Sequence, residues 1–532
     1  MTSTSSNSTD VFVRRLMLEA KMHHFRFNSR RTFLRATGIA GASALAPWQT
    51  VLEGLGSVTA QEASPPATLV AMESQVAKWV KIFEETPRQT LIEKVAQEIK
   101  QGKVTYRELL SGLFLAAVKH VQPRPSVGFK FHAVLVVHSA HLASLNSSPQ
   151  DRWLPILWAI DQFKSSQARD VQEGNWTMSA VDESGIPPAH RVIQEFEEAM
   201  ATWDESKADV AAAGLARFAT RNQAFEAFAK YAARDYRSIG HKVIYVANAF
   251  RTLDVIGWQY AEPILRSLAY ALLNHVGETN PASSEHRVDQ PWKENRPIAE
   301  SMPLDWTEGT TNTEFTREVV TGLREWKPAE ASKQIGLLLQ GEASLQSIVD
   351  GLYLSGSELL MRQPGIVSLH SLTTTNAIQY LARTVQSDLL RRQLILQNAS
   401  FLPFFLESMR GRGSVRDRLQ PLSRADDSDV DMNAADVFEQ LGKNSGQAYG
   451  QARSLLQANP AAISDFMSEA RRLVFLKGND SHDYKYSSAV LEDLIQLSPQ
   501  WRPDFAAACL YKLRSTQEPT TNLVHRIRQA LA

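Results

Sequence analysis

Four histidines in this chain share a local pattern that suits them for chemistry. Each stands near the head of an apolar segment with helical periodicity, and each follows a glycine by no more than five residues. An imidazole has two nitrogen atoms and titrates near neutral pH, so a group of imidazoles can bind a metal ion or transfer protons. The four are His132, His241, His370 and His482.

The spacing of these histidines indicates a repeat. His241 follows His132 by 109 residues, and His482 follows His370 by 112 residues. After each histidine come one helical stretch, a short polar break and a further helix. A proline, which is favoured in a first helical turn, stands near the start of that further helix in three units, and Arg392 takes its place in the third unit. The prolines are Pro155, Pro263 and Pro503.

A longer repeat relates the two halves of the chain. The segment "GKVTYRELLSGLFLAAVKHV" contains Gly112, and "GEASLQSIVDGLYLSGSELLM" contains Gly351, each followed by an apolar pair. Amphipathic helical periodicity is nearly continuous and alternating strand patterns are scarce. We therefore predict an all-α, multi-helix protein with internal duplication: two halves, four helical units and a pseudo-two-fold axis.

Such an axis would place the four histidines around a common interior, and several kinds of chemistry follow. Four imidazoles suit Zn, Cu, Fe or Ni. Two of them could instead bind haem axially, or all four could line a pocket for an organic substrate. Each histidine could also merely cap a helix or satisfy a backbone carbonyl, and the pattern leaves that interpretation open.

Other residues are weaker candidates. His138 and His141 share a helix face and could add ligands, although satisfied or exposed histidines are the simpler interpretation. Asn248 and Asn376 follow their histidines by seven and six residues, and we expect them to tie helices together. Five other histidines lie near helix ends or in loops and are not expected to be ligands: His120, His190, His275, His286 and His525.

Two carboxylates stand in apolar surroundings. Asp161 in "LWAIDQF" and Glu262 in "YAEPIL" could transfer protons with a raised pKa, and a position in a first helical turn explains Glu262 equally well. The sole cysteine, Cys509, is expected to be a buried, inert thiol. Four tryptophans are expected to be core residues: Trp153, Trp158, Trp258 and Trp501.

The N-terminus resembles a twin-arginine export signal. "SRRTFLR", from Ser29 to Arg35, precedes a mildly apolar stretch that is too short to remain in a bilayer as a permanent helix. Val58-Thr59-Ala60 offers a small-residue cleavage site. Twin-arginine signals direct folded cargo, often with its cofactor inserted, through the twin-arginine translocation machinery. We therefore predict a periplasmic or extracytoplasmic protein.

Composition excludes several classes of protein. The chain has 532 residues, with 57 basic and 57 acidic side chains, so no net positive charge indicates binding to nucleic acid. One cysteine excludes internal disulfides, zinc–thiolate sites and c-type haem attachment. The sequence contains no glycine-rich phosphate loop after a strand, no H-E-x-x-H and no G-x-S-x-G.

The predicted organisation has four parts. Residues 1–60 are signal and leader, 61–277 the N-terminal helical half, 278–330 a polar linker and 331–532 the C-terminal helical half. Further turn-rich segments lie at 168–190 and 410–437, where long irregular stretches could be lids or surface excursions.

The segments "GHKVIYVANAFRTL" and "VSLHSLTTTNAIQYLAR" resemble the questin oxidase-like family. That family is all-helical, has recurrent histidines leading Ala-rich helices and is linked to Baeyer–Villiger-type oxidation of polyketides. The resemblance implies a histidine-lined helical pocket for a small-molecule substrate. "SLTTTN" departs from the family's Ala- and His-rich pattern.

Together these features predict an exported metal- or cofactor-dependent oxidoreductase with a histidine-lined interior. The four histidines would bind the cofactor or metal, which could be a transition metal or haem. The alternative is a non-catalytic helical scaffold that binds a partner in the cell envelope. Convergence of the histidines on one cavity favours the enzyme, whereas dispersed histidines and a large exposed apolar surface favour the scaffold.

Overall fold

The computed structural model describes residues 74–124, 132–274, 279–416 and 432–532. The predicted signal and leader, residues 1–60, and most of the segment 410–437 lie outside these ranges. Within them the chain is helical, without a β-strand, and an isolated β-bridge joins Thr310 to Ala343. The all-α class is therefore confirmed. No helix in the described ranges has the length and apolar character needed to cross a membrane.

The helices of the N-terminal half are numbered in chain order. They are α1 (Ser74–Glu85), α2 (Arg88–Lys100), α3 (Tyr106–His120), α4 (His132–Leu135), α5 (Val137–Leu145), α6 (Leu154–Gln172), α7 (Val192–Thr202), α8 (Glu205–Phe218), α9 (Arg221–Ala232), α10 (His241–Ile256) and α11 (Ala261–Leu272).

The remaining helices continue the numbering. They are α12 (Gln290–Ser301), α13 (Thr313–Leu323), α14 (Pro328–Gln340), α15 (Leu345–Arg362), α16 (Ile366–Thr384), α17 (Asp388–Arg410), α18 (Ala434–Lys443), α19 (Ser445–Ala458), α20 (Ile463–Lys477), α21 (Ser481–Gln496), α22 (Arg502–Cys509) and α23 (Asn522–Leu531).

The histidine-led segments form the centre of the fold. Helix α10 packs against α4, α5 and α16, α16 packs against α21, and α21 packs against α4 and α5, which closes a ring. Helices α10, α16 and α21 are buried over most of their circumference, as expected for helices that are surrounded by others. The segments "FKFHAVLVV" and "HKVIYV", ambiguous between strand and helix in the sequence, are helical where they are described, apart from the turn at Val136 between α4 and α5.

The four central helices, which are the histidine-bearing helices α4, α10, α16 and α21, point in the same direction. Their histidines meet at the N-terminal ends, and residues six to ten positions further on meet again about two to three turns below, as between Arg251 of α10 and Asn376 of α16. Because the helices are parallel, their positive dipole ends all lie at the histidine end.

Local sequence explains where these helices begin. Gly240 precedes α10 with a φ of +83°, and a Cβ atom there would lie 1.8 Å from Oγ1 of Thr374. Only glycine combines this left-handed backbone with such a close approach. The N-cap of α21 is Asp480, whose side chain accepts from the backbone N–H of His482.

The glycines of the longer repeat have similar packing roles. A Cβ atom at Gly112 of α3 would lie 2.7 Å from Cβ of Trp79, and one at Gly351 of α15 would lie 2.6 Å from Cβ of Val319. Each glycine lets two helices cross closely: α3 with α1, and α15 with α13. The internal duplication, its four units and its pseudo-two-fold axis stay predictions.

The segment 278–330 differs from the polar linker that we expected. It contains α12 and α13, and α12 packs against α17 and α14. Although the segment is polar in composition, it makes buried contacts. The fully buried Asn295 donates to Oε1 of Gln397 and to Oγ of Ser400. The segment is thus part of the helical body, while the predicted domain boundaries on either side stay predictions.

Candidate functional site

The four predicted histidines lie together at the N-terminal ends of the central helices. His132, His241 and His370 are buried, with exposures of 2%, 6% and 0%. The side chain of His482 retains 12% exposure, and its ring centroid is 4.3 Å from that of His132 and 5.3 Å from that of His370. The structure therefore brings together residues that are up to 350 positions apart in the sequence.

Three of these rings direct nitrogen atoms at one another. Nε2 of His241 is 3.1 Å from Nε2 of His132 and also 3.1 Å from Nε2 of His370. One ring nitrogen from each of the three lies within 4.8 Å of the others, and His482 is not part of this group. Two nitrogen ligands of a tetrahedral metal ion at about 2.0–2.1 Å are about 3.3 Å apart, so the spacing resembles that of a metal site.

Backbone carbonyls set the protonation of two rings. Nδ1 of His241 lies 2.8 Å from the Ser238 carbonyl oxygen, and Nδ1 of His370 lies 2.7 Å from that of Ile366. A carbonyl oxygen only accepts, so each Nδ1 must carry the hydrogen, and the neutral ring then has its lone pair on Nε2. This is how histidine ligands of metals are usually oriented.

The Nε2 lone pairs of His241 and His370 therefore face each other across 3.1 Å. Such an arrangement needs a proton or a cation between the nitrogens. His132 can supply one hydrogen from Nε2, because its buried Nδ1 has no hydrogen-bond partner in the described residues. Lys485, three residues after His482, places Nζ 3.5 Å from Nε2 of His370.

The electrostatic surroundings keep the three rings neutral. Burial lowers the pKa of His132, His241 and His370 well below the ordinary value, and the charge of Lys485 lowers each pKa further. Burial also lowers the pKa of Lys485, to about 7. Neutral imidazoles are the form that binds metal ions.

His482 is oriented by a carboxylate. Its Nδ1 lies 2.7 Å from Oδ1 of Asp480, the N-cap residue of the same helix. Burial lowers the pKa of His482, and the hydrogen bond with Asp480 opposes that effect. A carboxylate on one imidazole nitrogen raises the basicity of the other. His482 is thus the edge member of the cluster.

A narrow polar cleft lies one to two turns below the histidines. Its walls come from α5, α10, α16 and α21, and it holds water-sized groups rather than a large ligand. Side chains at corresponding distances after the four histidines line it: His138, Asn248, Asn376 and Ser488. The cleft thus brings together Asn248 and Asn376, which the sequence analysis related to each other, with His138 and Ser488.

Charged residues close the lower end of this cleft. Arg251 donates to the side-chain oxygens of Asn248 and Asn376, and its guanidinium lies 3.4 Å from the carboxylate of Glu492. Asn376 donates to Oδ1 of Asp493 at 2.7 Å, and burial raises the pKa of Asp493 to about 8. The carboxylate side chain of Glu492 is 30% exposed, which connects the cleft with solvent.

The two asparagines tie helices together, as predicted. Asn248 donates to the Leu135 carbonyl oxygen of α4, and Asn376 joins α16 to α21. His138 lines the cleft with both ring nitrogens buried and without a hydrogen-bond partner in the described residues. His141 instead contacts the hydroxyl of Tyr106, with 3.1 Å between Nδ1 and Oη.

The remaining candidates have structural roles. Asp161 accepts two hydrogen bonds from Arg88 in a bidentate ion pair at 2.9 and 2.6 Å, and its proton-transfer role stays a prediction. Glu262 lies in the first turn of α11 and pairs with Arg217. Burial raises the pKa of the Cys509 thiol, which agrees with an inert side chain.

The four tryptophans lie in or against the core, as predicted, and the remaining described histidines lie away from the cluster. Trp158 and Trp501 are buried, and Trp153 and Trp258 pack against the core. Trp158 stacks on Tyr484 with 3.8 Å between ring centroids. His120 approaches Glu84, His190 and His525 are exposed, and His275 lies outside the described residues.

Sequence reasoning did not single out Lys485, Arg251 or Glu492. Each is a charged residue on the cleft side of an otherwise apolar helix, three or ten positions after its histidine. The signal that could have found them is the same helical register that relates His138 to Asn376. Nothing in the sequence shows which face of each helix turns inward.

Comparison of the chain with protein-family models, with curated proteins and with solved structures finds no match. The resemblance to the questin oxidase-like family therefore stays a prediction, and the case for a function is built on the geometry of the histidine cluster and its cleft.

Proposed function

We propose that the protein is a metal-dependent oxidoreductase in which His132, His241 and His370 bind one transition-metal ion. The observation that carries the proposal is the convergence of their Nε2 atoms at 3.1 Å while backbone carbonyls hold Nδ1 of two rings. A cation at this point would satisfy lone pairs that otherwise face one another. Three histidine ligands leave a further coordination position for a substrate.

The ligand type favours a transition metal. Imidazole suits Zn, Cu, Fe and Ni, whereas Mg²⁺ and Ca²⁺ prefer oxygen ligands. A haem fits less well, because the neighbouring rings are already 3.1 Å apart at Nε2 and the adjoining cleft holds only water-sized groups. His482 lies beside the group and is available as a fourth ligand or as a proton donor that Asp480 orients.

Electrostatics supports oxidation chemistry over purely Lewis-acid chemistry. The three ligands are neutral, the positive ends of the α10, α16 and α21 dipoles lie at the same end of the bundle, and Nζ of Lys485 is 3.5 Å from Nε2 of His370. Positive surroundings disfavour additional charge on an ion and so raise its reduction potential. Cu or Fe bound there would supply one-electron chemistry, and the residues of the cleft would position a small substrate and exclude bulk water.

The alternative scaffold function has less support. In the described part of the chain, six large apolar side chains are exposed, each on a different helix or loop: Leu145, Val171, Leu304, Leu337, Ile366 and Ile495. The histidines converge rather than disperse. Export of the folded, metal-loaded protein by the twin-arginine route forms part of the same proposal, because the three ligands come together only on folding.

Metal content tests the proposal directly. The full chain is purified, freed of metal, exposed in turn to Cu, Fe, Zn and Ni and then desalted. We expect about one bound ion per chain, by elemental analysis, and loss of that ion in a His241→Ala/His370→Ala variant. A His190→Ala/His525→Ala variant, which removes two exposed histidines, serves as the matched control and retains the ion.

Two outcomes would count against the proposal in different ways. If no metal binds, or if both double variants retain it equally, the histidine cluster is not a metal site. If Zn binds and Cu and Fe do not, or if voltammetry detects no redox couple with bound Cu or Fe, the metal site stands and the oxidoreductase assignment is wrong.

A further inference from the structure

The cleft below the histidine cluster contains hydrogen-bond donors that the protein leaves unused. His138 is 6% exposed, and neither of its ring nitrogens has a hydrogen-bond partner among the described residues. Its Nε2 lies 3.8 Å from Oε1 of Glu492, which is within ion-pair distance but too long for a hydrogen bond. A buried polar group without a partner destabilises a protein, so an unpartnered side chain that lines a cleft indicates a ligand.

Lys485 adds a second donor to the same cleft. It is 2% exposed, lines the cleft and has its Nζ 3.5 Å from Nε2 of His370, at the outer limit of a hydrogen bond. A lysine has three donor hydrogens. Its side chain therefore spans the interval between the histidine cluster and the cleft, with donors to spare for a bound group.

The charge and size of the cleft define what would bind there. Arg251 and Lys485 line it together with one acidic residue, Glu492, whose charge Arg251 offsets. The free space is small and opens to solvent beside Glu492. An anion of a few atoms fits both properties, while a bulky organic substrate fits neither.

We infer that this cleft is a binding site for a small monoanion, such as formate or azide, held by Lys485 and His138. As the binding site for the substrate of an oxidoreductase, it rests on the proposed function and identifies the substrate class as a small anion beside the metal. As a binding site alone, it does not depend on a metal, because its donors belong to the protein.

The experiment uses metal-free protein, so that direct coordination of the anion to a metal cannot contribute. Azide binding is followed by isothermal calorimetry and by the infrared stretching band of the bound ion, at constant ionic strength. We expect saturable binding of azide and formate, weaker binding of acetate and none of benzoate, because the cleft is narrow.

Two variants and one control test the location. Lys485→Met keeps the length of a buried side chain without its charge, and we expect it to weaken azide binding by about tenfold or more, the loss of one hydrogen bond to a charged donor. Ser488→Leu keeps the charged residues but fills the cleft, and should abolish binding. Lys164→Met is the control, since Nζ of Lys164 binds backbone carbonyl oxygens elsewhere.

The inference is overturned if metal-free protein binds none of the anions, if Lys485→Met binds azide as the unsubstituted protein does, or if benzoate binds as well as formate. Circular dichroism and the thermal midpoint of each variant verify that it is folded. A protein that binds azide but no metal would retain this site while refuting the proposed function. A protein that binds the metal but no azide would refute this anion site and leave the proposed function standing.

Discussion

His241 lies between His132 and His370, with Nε2 3.1 Å from the Nε2 atom of each. Only part of the surroundings of His241 could be predicted from the nearby sequence. The glycine before it and the apolar helix after it are local features, whereas its two partners lie 109 and 129 positions away. Local and distant residues together determine the state of the ring. The nearby Ser238 carbonyl oxygen sets the tautomer of His241, and burial lowers its pKa and keeps it neutral.

The histidine cluster predicts a stability that depends on pH. Folding lowers the pKa of His132, His241 and His370 below the unfolded value of about 6.5. Their contribution to stability is therefore complete above pH 6.5. As the pH falls below 6.5, the unfolded chain takes up protons that the folded chain does not, and the free energy of unfolding declines. The slope is about 1.4 kcal/mol per pH unit for each histidine.

The measurement is the thermal midpoint of metal-free protein between pH 8 and pH 5. A His241→Gln/His370→Gln variant removes two titrating groups, so its midpoint should fall less steeply. The free energy of unfolding of the variant should change by about 2.7 kcal/mol less per pH unit at the limit. The His190→Ala/His525→Ala variant should follow the unsubstituted protein. Equal slopes in all three proteins would show that the cluster is not the source of the acid sensitivity.

At the scale of elements, the position of α10 depends on Gly240. Its left-handed backbone and its contact with Thr374 let the chain enter the helix beside α16. This contact fixes where His241 lies relative to His370. A change at Gly240 is therefore expected to alter both the stability of the fold and the geometry of the cluster.

Gly240→Ala is predicted to destabilise the protein by about 2 kcal/mol or more, since a Cβ atom combines left-handed strain with a clash against Thr374. Gly102→Ala is the matched control. Gly102 also has a positive φ, +63°, but nothing lies within 4 Å of an added Cβ atom, so only the backbone strain of about 1 kcal/mol remains. Thermal midpoints of both variants give the comparison, and equal losses would contradict a role for the contact with Thr374.

How far the elements could be predicted depends on whether local sequence determines them. Apolar periodicity correctly indicated helices at α3, α10, α15 and α16, and glycine or proline marked several of their starts. The segment 278–330 was misjudged as a linker because polar residues such as Asn295 satisfy each other in the interior. The inward face of α21, with Lys485 and Glu492, could not be predicted, because it depends on the rotation of four helices against one another.

At the scale of the whole molecule, the proposed metal would link parts of the chain that are distant in sequence. His132, His241 and His370 stand on α4, α10 and α16, of which α4 and α16 pack against α21 and α10 packs against α4 and α16 in the central ring. An ion that binds the folded protein alone stabilises it by mass action, by about 2.7 kcal/mol at a free concentration of 100 times the dissociation constant. The stabilisation applies to the central ring as a unit, since each ligand comes from a different helix.

Addition of the ion identified by elemental analysis should therefore raise the thermal midpoint of metal-free protein, and a chelator should reverse the increase. It should also slow proteolysis throughout residues 132–384 rather than near one histidine, because local opening of any one of these helices releases a ligand. In the His241→Ala/His370→Ala variant the ion should change neither quantity. An equal increase in that variant would place the stabilising ion elsewhere, and protection confined to one helix would mean that the three histidines do not bind it together.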